Sequence, residues 1–166
     1  MINIFIRIFL YNMNIYKSIK MSKKSRIINE ISELYSKDFN NINLIKENNN
    51  DIVILRKKNE YKFILDSTYP FNKPKFFYIN DINYTKILRI NNTKFLIYLK
   101  KIYGLDCLCC SSLNCNSNWS PGNRLYHFIE EFNINILIKK NIYRRYICDL
   151  IKKKYNCEFA YIESYF

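Results

Sequence analysis

Three short apolar runs, separated by asparagine-rich segments, constrain the fold more than any other feature of the sequence. Each run is rich in branched or aromatic side chains, which favour β-strands. The asparagines between the runs favour tight turns. The asparagine-rich segments are residues 40–43 and 48–50, and the runs cover residues 44–46, 52–56 and 61–65. This pattern predicts three antiparallel strands joined in a meander.

A fourth strand is predicted after a segment that contains two prolines. Pro70 and Pro74 have no backbone N–H to donate to a sheet, so residues 69–75 are expected to cross the molecule in an extended conformation. The apolar run from Phe76 to Ile79 follows directly. The strand pattern therefore predicts a four-stranded antiparallel sheet.

Apolar residues at helical spacing predict two helices around this sheet. The first is expected to start near Ser25, with Ser22 or Ser25 as its N-cap, and it carries a stripe of Ile27, Ile28, Ile31, Leu34 and Tyr35. The second is expected to run from Asn92 and Thr93 to Gly104, where glycine favours a helix C-terminus.

Two more helices are predicted in the last third of the chain. One is expected to begin with Ser120 as its N-cap and Pro121 at its first position. The other is expected within the basic segment 142–151. The sheet and helices together predict an α+β fold, in which a four-stranded antiparallel meander packs against helices.

The length and hydrophobic content of the chain favour a single folded domain. Hydrophobic residues make up 49% of the 166 residues, which excludes a disordered polyelectrolyte. Residues 21–166 are predicted to form the domain, because Met21 opens a polar stretch typical of a protein start. Residues 1–20 are expected to be an extension, and Arg7 interrupts their apolar run, so we expect no membrane span.

The chain is strongly basic. Its 27 basic and 14 acidic side chains give a net charge of +13, which attracts nucleic acid or an anionic membrane. The composition is also rich in Asn, Ile, Lys, Tyr and Phe, the residues that an A/T-rich coding sequence supplies, and no nucleic-acid-binding motif accompanies the charge. We therefore expect neither nucleic acid nor a membrane as the partner.

Four of the six cysteines fall between Cys107 and Cys115. Such a cluster favours a reducing cytoplasm, where it indicates metal binding or catalysis. Four thiolates around zinc are one hypothesis, but the Cys-x-Cys-Cys spacing strains a tetrahedral set, so no metal site is predicted. His127 is expected beside the buried helical stripe and away from the thiols. Cys148 and Cys157 are expected to be buried apolar residues.

Two motifs flank this cysteine cluster. Residues 69–75 read Tyr-Pro-Phe-Asn-Lys-Pro-Lys, and residues 118–121 read Asn-Trp-Ser-Pro. The chain resembles the ubiquitin-conjugating enzymes over roughly residues 25–132, because that family has Tyr-Pro-Phe-x-Pro-Pro-Lys and then Cys-Leu followed by Trp-Ser-Pro. The resemblance implies a cysteine that carries ubiquitin or a ubiquitin-like protein as a thioester and passes it to lysine. It implies an activating enzyme and a ligase as partners, and no cofactor.

The resemblance also implies roles for individual residues. Cys107 is the first candidate for the nucleophile because Leu108 follows it, whereas Cys110 or Cys109 would give a spacer to Trp119 closer to that of the family. The activating enzyme is expected to contact the first helix, and the ligase is expected to contact two loops. The matching positions are Lys23, Lys24 and Arg26 for the activating enzyme, and Phe71, Ser120 and Pro121 for the ligase.

The chain departs from the family pattern in one catalytic motif. The family's His-Pro-Asn, whose asparagine stabilises the oxyanion, is not found between Lys75 and Cys107. The candidates to replace that asparagine are Asn80, Asn83, Asn91 and Asn92. The alternative functions are a non-catalytic binding module of the same fold and, less favoured, a basic nucleic-acid-binding or zinc-binding protein.

Overall fold

The computed structural model describes residues 23–155 of the chain. Within this part, helices and strands follow one another in a simple order. They are α1 (Lys23–Ser36), β1 (Asn41–Glu47), β2 (Asn50–Arg56), β3 (Glu60–Leu65), β4 (Phe76–Ile79), β5 (Ile82–Asn83), α2 (Tyr84–Leu88), α3 (Thr93–Tyr103), α4 (Leu108–Ser111), a 3₁₀ turn (Asn116–Asn118) and α5 (Leu125–Tyr155).

The strands form one antiparallel sheet in the order β1-β2-β3-β4-β5, which confirms the α+β class and the meander. The hairpin between β1 and β2 turns at Asn48 and Asn49, both of which have positive φ angles (46° and 64°). Asparagine tolerates this left-handed conformation better than most residues, and two such residues suit a two-residue hairpin loop. The asparagine-rich segment thus forms the tight turn that the sequence predicted.

The predicted strand count was wrong, because the sheet has five strands and not four. Asn80 and Asp81 both have positive φ angles (48° and 62°) and reverse the chain so that β5 pairs with β4. Asn80 also bonds to β3, since its N–H donates to the carbonyl of Glu60 at 2.9 Å. A strand of two residues is too short to produce an alternating pattern in the sequence.

The core lies between the sheet and the first half of α5. Phe63 and Phe77 stack in parallel with their ring centroids 4.3 Å apart. The ring of Phe128 from α5 meets both edge-to-face, at 6.1 Å and 5.5 Å. All three side chains are buried, and such aromatic contacts add about 0.5–1.5 kcal/mol each beyond area burial. This packing fixes α5 against the sheet.

The predicted start of the third helix was wrong. Ser120 and Pro121 lie in a turn that the N–H of Asn123 closes on the carbonyl of Ser120 at 2.9 Å, and α5 begins only at Leu125. The helix then continues for 31 residues to Tyr155, so the third and fourth predicted helices are one. No glycine or proline occurs between these ends to interrupt it.

The helix predicted from residue 93 to Gly104 is confirmed as α3. The side chain of Asn92 accepts the N–H of Lys94, and Gly104 ends the helix in the left-handed conformation with φ 69°. The short helices α2 and α4 were not predicted from the sequence. The N-cap prediction for α1 was wrong for Ser25, because α1 already includes Lys23 and Ser25 lies inside it.

Several sequence predictions fall outside the described residues. They concern the extension at residues 1–20, the domain start at Met21, the alternative cap Ser22 and the burial of Cys157. Among the described residues, no helix combines the length and the apolar character needed to cross a bilayer.

Candidate functional site

The two motif segments on either side of the cysteines lie in contact. Nε1 of Trp119 donates a hydrogen bond to the carbonyl of Pro70 at 3.0 Å, and the rings of Tyr69 and Trp119 are 6.0 Å apart. Trp119 also packs against Phe128, at 5.7 Å between centroids. The proline crossing and the Asn-Trp-Ser-Pro segment therefore form one corner of the molecule.

The residues expected at the ligase surface are exposed at this corner. Phe71 is 79% exposed, which is unusual for a phenylalanine and leaves its ring available for contact with another protein. Ser120 and Pro121 are also exposed, in the turn that follows Trp119. The hydrogen bond from Trp119 to Pro70 joins the two loops that carry these three residues.

A buried carboxylate behind the corner joins three parts of the chain. Glu30 of α1 is 1% exposed, and it accepts hydrogen bonds from Arg26 Nε, from the hydroxyl of Tyr69 at 2.5 Å and from the N–H of Leu125 at 2.9 Å. Burial and the neighbouring Glu30 raise the pKa of Tyr69, so the phenol remains a donor. Glu30 thus ties α1 and the proline crossing to the first turn of α5.

The three basic residues expected to meet the activating enzyme have different surroundings. Arg26 is 7% exposed and donates to Glu30 and to the carbonyl of Asn123, so the structure places it in the interior, where it cannot contact a partner. Lys23 is half-buried and pairs with Asp51 at 2.6 Å. Lys24 is exposed. Only the lysines remain candidates for that contact.

Three thiols form a cluster at the start of α4. The Sγ atom of Cys107 lies 2.8 Å from that of Cys110 and 3.0 Å from that of Cys109. The Sγ atoms of Cys109 and Cys110 are 4.0 Å apart. Cys107 is partly exposed and the other two are exposed, whereas the intervening Leu108 is buried in the core. The short helix therefore presents its sulfur atoms to solvent while Leu108 anchors it.

Hydrogen bonding gives the three thiols different pKa values. The thiol of Cys109 and the N–H of Cys110 donate to the sulfur of Cys107, the latter at 3.2 Å, and these hydrogen bonds together with the contact to the Cys110 thiol lower the pKa of Cys107. The pKa of Cys109 is raised by its hydrogen bond to Cys107. The same interactions raise the pKa of Cys110 to about 12. Cys107 is thus the thiol most readily ionised in the cluster.

A second carboxylate, which is half-buried, holds the loop that follows the cluster. Glu131 of α5 accepts hydrogen bonds from the hydroxyls of Tyr84 and Ser112, at 2.6 Å and 2.5 Å, and from the N–H of Leu113 at 2.6 Å. Burial and Glu131 raise the pKa of Tyr84. The sequence analysis did not find Glu131, although this charged residue lies three positions after Phe128 on the inward face of a helix.

Asn118 connects the thiol cluster to the corner around Trp119. Its Nδ2 donates to the carbonyl of Cys110 at 2.8 Å and to that of Ser112 at 3.0 Å. Because Asn118 directly precedes Trp119, one side chain positions the thiol loop against the segment that carries the second motif. The structure thus brings Cys107, Cys110 and the expected ligase surface onto connected loops.

The described residues do not assemble a four-ligand metal site. Within residues 23–155, the one set of three or more clustered metal-ligand residues is Cys107, Cys109 and Cys110. The thiol of Cys115 lies apart from that set and contacts the hydroxyl of Ser117 at 3.1 Å. His127 uses Nδ1 to accept the N–H of Arg124 at the start of α5. Cys148, expected to be buried, is only half-buried.

Three of the asparagines considered as oxyanion donors have structural roles. Asn83 caps α2 by accepting the N–H of Thr85, and Asn92 caps α3. Asn80 accepts the N–H of Glu60 and donates to Asn59 within the sheet. These contacts hold the three side chains in place at the sheet and at helix ends.

The fold and site define an α+β protein with a five-stranded antiparallel meander and an exposed cluster of three thiols. Comparison of the chain with family models, with curated proteins and with solved structures gives no match.

Proposed function

We propose that this protein is a conjugating enzyme of the ubiquitin type, which carries ubiquitin or a ubiquitin-like protein as a thioester on Cys107 and transfers it to a lysine amine. A thiol suits this chemistry because it exchanges with another thioester at little energetic cost. The resulting thioester then reacts readily with an amine.

The observation that carries the proposal is that the thiol cluster is joined to the Asn-Trp-Ser-Pro segment, which is itself joined to the proline crossing. Trp119 bonds to Pro70 on one side, and Asn118 bonds to the backbone around Cys110 on the other. A thiolate-forming cysteine on an exposed loop next to an exposed hydrophobic corner is the arrangement that thioester transfer under the direction of a ligase needs.

Cys107 is the preferred nucleophile within the cluster. It is partly exposed and it accepts hydrogen bonds from the Cys109 thiol and from the N–H of Cys110, which stabilise its thiolate. Cys110 is the alternative, because it is exposed in the same cluster, although its raised pKa keeps it protonated near neutral pH.

The proposed partners follow from the exposed residues. A ligase would contact Phe71, Ser120 and Pro121 at the corner, and an activating enzyme would contact Lys23 and Lys24 on α1. Exposed lysines contribute little individually, about 0–1 kcal/mol per ion pair, so the activating enzyme also needs an apolar contact. Such a contact is offered by a groove of about 650 Å³ beside these lysines, whose lining includes Ile27, Ile28 and Leu44.

The test is adduct formation on the full chain with activating enzyme, ubiquitin and ATP. The adduct should be removed by a reducing agent, because a thiol displaces a thioester and leaves an amide intact. Cys107→Ser should instead trap an adduct that resists reduction, and Cys115→Ser, the matched control outside the cluster, should behave as the parent chain. A labile adduct that survives in Cys107→Ser and disappears in Cys110→Ser would transfer the role to Cys110.

A second candidate function is a non-catalytic binding module for ubiquitin or a ligase. It is favoured by the structural roles of Asn80, Asn83 and Asn92, because an active enzyme needs a donor to stabilise the oxyanion. This function predicts no adduct with any of several activating enzymes, together with saturable binding of ubiquitin or a ligase that Cys107→Ser leaves unchanged.

A further inference from the structure

The sulfur atoms of Cys107 and Cys110 are unusually close for two free thiols. Their separation of 2.8 Å exceeds the length of a covalent S–S bond, which is about 2.05 Å, by less than about 1 Å. The two residues are three positions apart, with Cys107 directly before α4 and Cys110 in its first turn. A disulfide between them would therefore require only a small movement of exposed side chains.

We propose that Cys107 and Cys110 form a dithiol site for thiol–disulfide exchange with small or peptide disulfides. This inference concerns a reaction of the cluster itself and does not rest on ubiquitin transfer. A consequence for the proposed function is that the closed form, in which Cys107 is part of a disulfide, could not accept a thioester.

The exchange proceeds in two steps, which together conserve atoms and electrons. The Cys107 thiolate attacks one sulfur of a disulfide R–S–S–R, which forms a mixed disulfide on Cys107 and releases one R–S⁻. Cys110 then loses its proton to solvent and attacks Sγ of Cys107, which forms the internal disulfide and releases the second R–S⁻. The protein gives up two electrons and two protons, and the substrate disulfide becomes two thiols.

The geometry favours Cys110 over Cys109 as the second thiol. The Cys110 Sγ is the closer of the two to Cys107, and the N–H of Cys110 also donates to the Cys107 sulfur. Two residues separate Cys107 and Cys110, the Cys-x-x-Cys spacing that redox-active dithiols use. The neighbouring thiols and the N–H also stabilise the attacking thiolate, which supports Cys107 in the first step.

The surroundings of the pair suit a reaction with a partner in solution. Cys110 is exposed and Cys107 is partly exposed, so a disulfide can approach from solvent. Leu108 is buried between them, and the bonds of Glu131 to Ser112 and Leu113 fix the loop that follows. The backbone is thus held while the two thiols remain accessible.

The experiment treats the reduced full chain with glutathione disulfide, quenches with acid, blocks free thiols with N-ethylmaleimide and maps the peptides by mass spectrometry. We expect a disulfide between Cys107 and Cys110, the loss of these two blockable thiols and no lasting glutathione on either of them. Dithiothreitol should restore both thiols.

Variants in the cluster separate the two steps. Cys110→Ser should stop at the mixed disulfide and retain one glutathione on Cys107, and Cys107→Ser should slow the consumption of glutathione disulfide at least tenfold. Cys115→Ser should close as the parent chain does, and Cys109→Ser should still form the disulfide between Cys107 and Cys110. Circular dichroism of each variant confirms that the fold is kept, since these thiols are at the surface.

Three results would overturn the proposal. They are a parent chain that keeps glutathione on Cys107 while Cys110 stays free, a disulfide that joins Cys107 to Cys109 or Cys115, and a Cys110→Ser chain that releases glutathione as fast as the parent. The readout contains neither ubiquitin nor an activating enzyme, so it is independent of whether the thioester forms.

Discussion

At the scale of single residues, the chemistry of the site depends on which sulfur atom accepts hydrogen bonds. The sequence placed Cys107, Cys109 and Cys110 together, because they are neighbours in the chain. It could not rank their acidity, which depends on the direction of each thiol and on the N–H of Cys110. The backbone conformation at the start of α4 sets those directions.

The difference in pKa among the three thiols predicts the order in which they are alkylated. Near neutral pH, Cys107 should react with iodoacetamide faster than Cys109 or Cys110, because its lowered pKa gives it the larger thiolate fraction. Its rate should fall as the pH drops through that pKa. Brief alkylation pulses between about pH 6 and pH 9, resolved by fragment-ion mapping, measure the order. In Cys107→Ala, Cys110 should react faster, and equal rates for all three thiols would contradict the assignment.

Arg26 shows what a sequence cannot reveal about a single residue. Its position on α1, four residues before Glu30, is compatible with an exposed ion pair. The burial of both residues depends on Tyr69 and Leu125, which approach from segments 39 and 95 residues beyond Glu30. Because of the contacts with those segments, Arg26 lies in the interior and not on the expected docking surface.

Glu30→Ala should be strongly destabilising. It would leave the Arg26 guanidinium buried without its carboxylate and the hydroxyl of Tyr69 without an acceptor. The free energy of unfolding should therefore fall by about 3–5 kcal/mol. Tyr69→Phe removes one hydrogen bond to a charged group and should cost about 1.5–3 kcal/mol. Urea unfolding measures both, with the exposed Glu47→Ala as a control expected within about 0.5 kcal/mol of the parent. A Glu30→Ala chain as stable as that control would show that the network contributes nothing.

At the scale of elements, local signals predicted the meander and α3 but misplaced the start of α5. The turns at Asn48 and Asn49 and the ends of α3 use residues within a few positions of the element. The first N–H of α5 is instead bonded by Glu30, 95 residues away in the sequence. Ser120 and Pro121 have the composition of a helix start, yet they form the preceding turn.

Asn92 and Ser120 provide a matched test of helix capping. Asn92→Ala should cost about 1 kcal/mol, because its side chain bonds to the N–H of Lys94 at the start of α3. Ser120→Ala should change stability by less than about 0.5 kcal/mol, because Ser120 is exposed in a turn and caps no helix. Denaturant unfolding of the two variants should separate them, and a Ser120→Ala cost equal to that of Asn92→Ala would place a helix start at Ser120.

At the scale of the whole molecule, the fold class follows from patterns, while the site depends on distant contacts. Alternation in β3 and helical spacing in α1 and α5 each identify an apolar face, and these faces meet in one core. The pairing of Trp119 with Pro70 and the anchoring of the thiol loop by Glu131 join segments far apart in the sequence. Only the packed arrangement of the sheet and α5 brings those residues together.

The fold of this protein should not depend on a bound metal ion. A structural zinc ion supplies much of the folding free energy of small domains that lack a sufficient core. Here the core contains Phe63, Phe77 and Phe128 in mutual contact, and Cys115 bonds to Ser117 away from the three-thiol cluster. We therefore expect native mass spectrometry of a chelator-free preparation to find much less than one zinc ion per chain. Addition of a chelator should leave the midpoint of thermal unfolding unchanged. One tightly held zinc ion per chain, lost in Cys109→Ser and in Cys115→Ser, would show that Cys115 joins the cluster, and it would turn the thiols from reactants into structural ligands.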